Sequence, residues 1–189
     1  ALTDHLFADL SSKGVPAALN GTSIPFEWNN LSNLKSIVHK HGNEIGAIKM
    51  EVTRNIKPSK DFLREVRQIC DRYNIVLIFD ECTSGFRESF GGLHLKYGIN
   101  TDISIFGKAL GNGYAISAVL GKDHVMQSAC ETFISSTFWT EAVGPSAALA
   151  TLEEMKENES WKKLPRLGRQ IKDIWMTNSK KYNIPITIN

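Results

Sequence analysis

The sequence predicts an α/β fold built on a mainly parallel sheet, and three consecutive stretches carry that prediction. Glu44 to Val52 (EIGAIKMEV) has the β-branched and apolar content of a buried strand. From Ser59 the spacing becomes helical, with Phe62, Val66, Ile69 and Tyr73 on one face and Lys60, Arg64, Arg67 and Asp71 on others. Ile75 to Phe79 is then an unbroken apolar run of strand length, the pattern of a strand covered on both faces. Strand, helix, strand in this order implies parallel pairing through a crossover helix.

The remaining elements follow in order. Gly, Pro and Asn scattered through GVPAALNGTSIPFEWNN mark the first forty or so residues as loops around short elements. SNLKSIVHKHGN is expected to form a short helix, and RNIKPS a loop. Ser59 is the expected N-cap of the crossover helix. Ile103–Phe106 and Ala115–Leu120 are expected to extend the sheet, with small helices at HLKYG and KDHVMQSA. Thr140 to about Met155 reads as an Ala- and Leu-rich helix whose first turns are disturbed by Gly144 and Pro145. Trp161, Leu164, Leu167, Ile171, Ile174 and Trp175 give a second amphipathic helix, and YNIPITIN reads as an opening strand. The charged stretch KENES suggests a boundary near Asn158, so residues 1–157 are expected to form a large domain and 158–189 a linking helix and the start of a second domain.

Composition excludes several functions. With 42% hydrophobic and 22% charged residues the chain lies in the ordinary range for a globular protein with a core. A net charge of +2 is too balanced for a nucleic-acid surface or a membrane-docking face. Cys70, Cys82 and Cys130 are odd in number and widely separated, so neither a disulfide framework nor a metal site is read from them, and a reducing, cytoplasmic setting is expected. No apolar run approaches the roughly 20 residues needed to span a bilayer, and ALTDHLFADL has no export-signal pattern. Without an initiator methionine, the chain is expected to be a processed form or an excerpt.

Three places could carry chemistry. Asp80 and Glu81 close the run IVLIFDE and so stand at the C-terminal edge of a strand, where open α/β sheets bind ligands; the alternative is that one of them caps a neighbouring loop. Lys108 follows another strand and lies among Gly107, Gly111 and Gly113, which permit close backbone approach. If buried, its amine loses its proton more readily and becomes a nucleophile able to form an imine; the alternative is an exposed turn lysine. Ser135, Ser136, Thr137 and Thr140 precede a helix and could cradle a phosphate, or simply cap it. GKALGNG fits neither the P-loop, which needs Ser or Thr after the lysine, nor the dinucleotide fingerprint, because Gly111-Asn112-Gly113 runs into a strand-like segment.

Taken together, LIFDECTSGFR, TDISIFGKALGNG and STFWTEAVGPSAALATLE resemble, in order, three motifs of the class III pyridoxal phosphate-dependent aminotransferases, especially the glutamate-1-semialdehyde aminomutase-like branch. The resemblance implies a partial large domain of PLP-dependent transferase fold type I, the aspartate aminotransferase-like fold. It implies amino-group transfer, as aminotransferase or aminomutase, between small-molecule amino donors and acceptors, with pyridoxal 5'-phosphate as cofactor and no metal. By the same resemblance Lys108 is the Schiff-base lysine, Asp80 pairs with the pyridine nitrogen, and Cys82 stands where a valine packs on the ring. Thr137 matches a threonine that reaches the cofactor phosphate of a neighbouring subunit, which implies a homodimer with shared sites.

The departures are local. Trp139 and Thr140 replace two glycines, Ala142 a proline, Thr101 the proline before Asp102, and Val52 the proline after Glu51, to which no role is given. The resemblance corresponds to the middle of a family member, so the excerpt alone is expected to lack the N-terminal phosphate grip and most of the small domain. A competing reading is a non-catalytic assembly or dimerisation module that keeps the fold.

Overall fold

The structure is a computed structural model that describes residues 14–19, 21–53, 55–59 and 61–188. The chain divides into two compact units, Ala1–Ile45 and Gly46–Asn189.

In the first unit the expected short helix is α1, Leu31–His41. Its N-cap is Asn30, whose side-chain oxygen accepts from the Asn33 N–H (3.0 Å), while the Asn33 side chain accepts from the Glu27 N–H (2.9 Å). These bonds satisfy donors that a helix start leaves free. Leu34 and Val38, four residues apart, form its buried side.

In the second unit the described residues form one four-stranded sheet in the order β1 (Ala47–Glu51), β2 (Val76–Asp80), β3 (Ile103–Phe106), β4 (Ala118–Gly121). The first three strands are parallel and β4 runs antiparallel to β3, so the sheet is mixed but mostly parallel. Between β1 and β2 lies α2, Phe62–Tyr73, which packs against β2 and buries Phe62, Leu63, Val66, Ile69 and Cys70. Its cap is Asp61 rather than the expected Ser59. The Ser59 carbonyl instead accepts from the Phe62 N–H (3.2 Å), a preliminary turn that delays the helix. Asn74 ends α2 in the left-handed conformation (φ 54°), a role asparagine fills readily.

Alternation decides which strand residues face the core. Ile48, Met50, Leu77, Phe79, Ser104 and Phe106 are buried, whereas Val76, Ile78, Asp80, Ile103 and Ile105 are only half-buried. The sequence predicts cover on both faces of β2, but among the described residues one face is buried and the other only half-buried. Beyond β3 the chain turns at Lys108–Leu110, and a Tyr114 N–H to Gly111 carbonyl bond (3.0 Å) closes a second turn. Residues 114–117 are consumed in that return, which is why β4 begins at Ala118 and not at Ala115.

α3 (Asp123–Cys130) follows as expected. α4 spans Val143–Asn158, starting three residues later than the sequence predicts. Pro145 falls in its first turn, where no N–H is needed, and the Glu141 carboxylate accepts from the N–H groups of Val143 and, at 3.1 Å, Gly144. Glu159, at φ 47°, separates α4 from α5, Ser160–Tyr182. Residues 183–188 form no strand; instead the Ile184 N–H returns to the Ser179 carbonyl (3.0 Å) to close the helix end. Among the described residues no helix is long and apolar enough to cross a membrane.

Candidate active site at the ends of β2 and β3

Asp80 is the last residue of β2, opposite Glu51 of β1 and Ile105 of β3. Being in phase with Val76 and Ile78, it projects from the half-open face. One carboxylate oxygen, Oδ2, accepts from Lys49 Nζ (2.9 Å) and the other, Oδ1, from the Cys82 N–H (3.2 Å). Partial burial pushes this carboxyl up, but the Lys49 and Cys82 hydrogen bonds outweigh it and hold Asp80 below the usual carboxylate range.

Cys82 is half-buried beside it. Burial and then the neighbouring Asp80 push its thiol up, against a smaller opposing pull from Lys108 and Lys49, so the sulfur is a neutral packing atom rather than a thiolate. The Cys82 side chain faces the backbone beyond β3: a Cβ on Gly107 would stand 3.3 Å from Cys82 Sγ. Lys108 follows directly. Its Nζ donates to Thr83 Oγ1 at 3.0 Å, and its backbone has φ 47°, a left-handed conformation uncommon for a side-chain-bearing residue and found at functional sites. Lys108 is exposed at the rim, not buried.

Asp80, Cys82 and Lys108 thus meet at the carboxyl ends of adjacent strands. Thr137 does not join them: it lies in the exposed stretch 131–140 and makes no hydrogen bond to the other three. Next to Thr83 opens a polar cleft of about 360 Å³, with Glu51, Thr53 and Arg87 in its wall. Neither this cleft nor a larger recess of about 580 Å³, between the Gly111–Tyr114 turn and the start of α4, is lined by any of the four.

Glu81 takes its capping alternative. Fully buried, it accepts from Ser84 Oγ (2.5 Å), the Leu93 N–H (2.9 Å), the His94 N–H (3.0 Å) and His94 Nδ1 (2.7 Å), tying the whole 82–92 loop back to the end of β2. Burial pushes its carboxyl up, but these bonds prevail and hold it below its ordinary value. Gly92 is required there, since a Cβ would lie 2.3 Å from the His94 ring.

At the opposite end of the sheet Asp102 plays the corresponding part. It accepts from the Leu77 N–H (2.7 Å), Arg67 Nη1 (2.7 Å) and Lys122 Nζ (2.7 Å). Thr101 is accommodated in place of proline because its hydroxyl donates to the Leu77 and Ile103 carbonyls (2.9 and 2.7 Å).

Sequence reasoning passed over Lys49 and Thr83. The signal for Lys49 was present: it is the lone charge in AIKM, and alternation places it in phase with Glu51, whose register partner is Asp80. Thr83 carried no such signal, since it sits in a loop without periodicity.

The mostly parallel sheet with these residues at its carboxyl edge has the fold of pyridoxal phosphate-dependent transaminases. The aminotransferase class-III family model matches residues 17–188, and the chain belongs to that family. It is 36% identical over 186 residues to a glutamate-1-semialdehyde 2,1-aminomutase of Clostridium kluyveri, covering 94% of this chain and 44% of the relative. It is 35% identical over 164 residues to a 3-aminobutyryl-CoA aminotransferase of Cloacimonas acidaminovorans, covering 83% of this chain and 40% of that one. In structure it resembles the FumI protein of a Sphingopyxis species, solved in its PLP internal aldimine form, with a TM-score of 0.85 and 26% identity over 90% of this chain and 42% of that chain. The chain therefore spans less than half the length of these relatives.

Proposed function

We propose that the protein carries out pyridoxal phosphate-dependent amino-group transfer, as an aminotransferase or aminomutase, with Lys108 and Asp80 as its catalytic residues. The observation that supports this most is the gathering of Asp80, Cys82 and Lys108 at one sheet edge, where the Cys82 N–H bonds to the Asp80 carboxylate, Cys82 Sγ faces Gly107, and Lys108 bonds to Thr83 beside Cys82. These residues fit the cofactor's chemistry: an acceptor suits a ring N–H, an amine suits an aldehyde, and a Gly107 without a Cβ leaves the floor at Cys82 open. When bound, pyridoxal 5'-phosphate supplies an electrophilic carbon for an amine and a ring that takes up the electrons left when a substrate carbon loses its proton.

The chain's own contributions follow from the contacts. Asp80, kept ionised by Lys49 and the Cys82 amide, would accept the ring N–H of the cofactor. Cys82 would pack against the ring as a small hydrophobe. Lys108 would hold the cofactor through its amine, and the same amine, once free, could carry a proton from a substrate carbon. Thr83 gives the released amine a fixed hydrogen-bond partner at 3.0 Å. Thr137 belongs to this reading as a phosphate ligand of the neighbouring subunit in a homodimer, which accords with its exposure. The reading also includes a cytoplasmic setting, small-molecule amino donors and acceptors as substrates, residues 1–157 as large domain, and 158–189 as linking helix and start of the small domain. The left-handed break at Glu159 supports that last division.

The test is made on the full-length protein. Cofactor titration is expected to give visible absorbance that borohydride fixes to Lys108 and that Lys108→Ala abolishes, and half-transamination against a panel of amino donors then identifies the substrate class. A protein that assembles but stays colourless at saturating cofactor would overturn the proposal.

A further inference from the structure

In the reading above Lys49 serves only to keep Asp80 ionised, but its ammonium also occupies part of the carboxylate that would face the cofactor's ring nitrogen. Lys49 sits mid-strand in β1, two residues before Glu51, and its ammonium crosses to β2 to donate to Asp80 Oδ2 at 2.9 Å. Strand alternation requires this arrangement: Ile48 and Met50 point into the core, so Lys49 and Glu51 share the half-open face with Asp80. Because Glu51 stands directly opposite Asp80, two carboxylates share that face, and Lys49 supplies a positive charge between neighbouring strands.

We infer that Lys49 is a positioning residue that sets how firmly Asp80 holds the proton on the cofactor's ring nitrogen. The inference rests on the proposed role of Asp80. Two cations then share one carboxylate: the Lys49 ammonium at Oδ2 and the protonated ring nitrogen. Each weakens the carboxylate's attraction for the other, so the ring nitrogen loses its proton at lower pH, and the cofactor is held less tightly, than beside an unpaired aspartate. The other charged or titratable groups bearing on Asp80 are Glu51 from β1, Cys82 from the following loop, and Lys108, acting through Cys82 from beyond β3; β3 itself presents only Ile105. The effect is moderate, because the Lys49 side chain is 58% exposed and water screens it.

The experiment uses the full-length protein loaded with pyridoxal phosphate carrying ¹⁵N in the ring, with the ring-nitrogen chemical shift followed against pH and the cofactor Kd measured alongside. Lys49→Met and Lys49→Gln are expected to raise the titration midpoint by about half a pH unit and tighten Kd about two- to fivefold, whereas Lys49→Arg, which keeps the charge, stays near wild type. An unchanged midpoint, or weaker binding in both neutral variants, overturns the inference. Asp80→Asn separates the two levels: if it leaves the ring-nitrogen shift unchanged, the role of Asp80 itself fails and this inference with it. If Asp80→Asn moves the shift while both neutral Lys49 variants do not, only the Lys49 inference fails.

Discussion

Glu81→Gln removes one charge at constant shape from the most enclosed polar group of the site. The carboxylate receives four hydrogen bonds, two at each oxygen, and two of them come from backbone N–H groups that cannot rotate away. An amide has only one acceptor oxygen. If its NH2 takes the place of Oε2, it confronts the Leu93 N–H; if it takes the place of Oε1, it confronts the His94 N–H. Ser84 can turn its hydroxyl and His94 can change tautomer, but one backbone donor stays buried without a partner in either orientation. That orphan, with the loss of charge assistance, costs about 2–3 kcal/mol. Since the bonds fasten the 82–92 loop to β2, the loss is expected as local opening, read by hydrogen exchange on the full-length protein. Protection of the Leu93 and His94 amides should fall roughly 30- to 150-fold, at about 1.4 kcal/mol per decade, while that of the buried β2 amides changes much less. Undiminished protection at both amides would refute the argument that this carboxylate holds the loop.

Asp102→Asn leaves Arg67, 13% exposed, with only the exposed Asp71 as carboxylate partner, and should cost about 3 kcal/mol in chemical denaturation; a loss below about 1 kcal/mol would count against it. In the wild type, burial pushes Asp102 up, but the Leu77 N–H, Lys122 and Arg67 hold it below the ordinary value. Its contribution is therefore fully present above about pH 4 and is lost as pH falls through the lowered native pKa, a dependence that Asp102→Asn should flatten. Lys108→Gly and Lys108→Ala both delete the bond to Thr83, yet only alanine keeps a Cβ at φ 47°; thermal denaturation should find the glycine variant more stable by about 1 kcal/mol, and the reverse order would deny backbone strain at this position.

What could be seen in the sequence was what repeats at short range. The apolar and β-branched content of β1, the unbroken apolar run of β2 and the four-three-four spacing of α2 are local signals, and those elements stand close to where they are expected. Asp80 and Lys108 were legible because one closes an apolar run and the other stands one glycine beyond another, and the edge of a sheet is fixed by where such runs stop. Events that depend on partners distant in sequence were not legible. β4 starts late because two turns after β3 use up its first residues, and the last residues lack a strand because none of the described edges pairs with them. Lys49 reaches Asp80 across 31 positions and Thr83 reaches Lys108 across 25, and no periodicity records either bond. The exposure of Lys108 belongs to the same class, since burial depends on what packs above the strand end rather than on the strand itself.

The adjacent carboxylates Asp80 and Glu81 show how one rule separates chemistry from architecture at this edge. Their side chains leave the chain in opposite directions because successive residues of a strand alternate, so one carboxylate reaches the half-open face while its neighbour enters the core. Glu81, once inside, must be satisfied completely, and the groups that satisfy it are the amides and side chains of the loop that follows. That loop contains Cys82 and Thr83, the residues that meet Asp80 and Lys108. Burial of Glu81 is therefore what fixes the surroundings of Asp80, and a shift of a single residue in strand phase would exchange their positions. With Glu81 on the open face and Asp80 in the core, the shorter side chain would have to gather four donors placed to suit a longer one, and the loop would lose its fastening before any chemistry was tested.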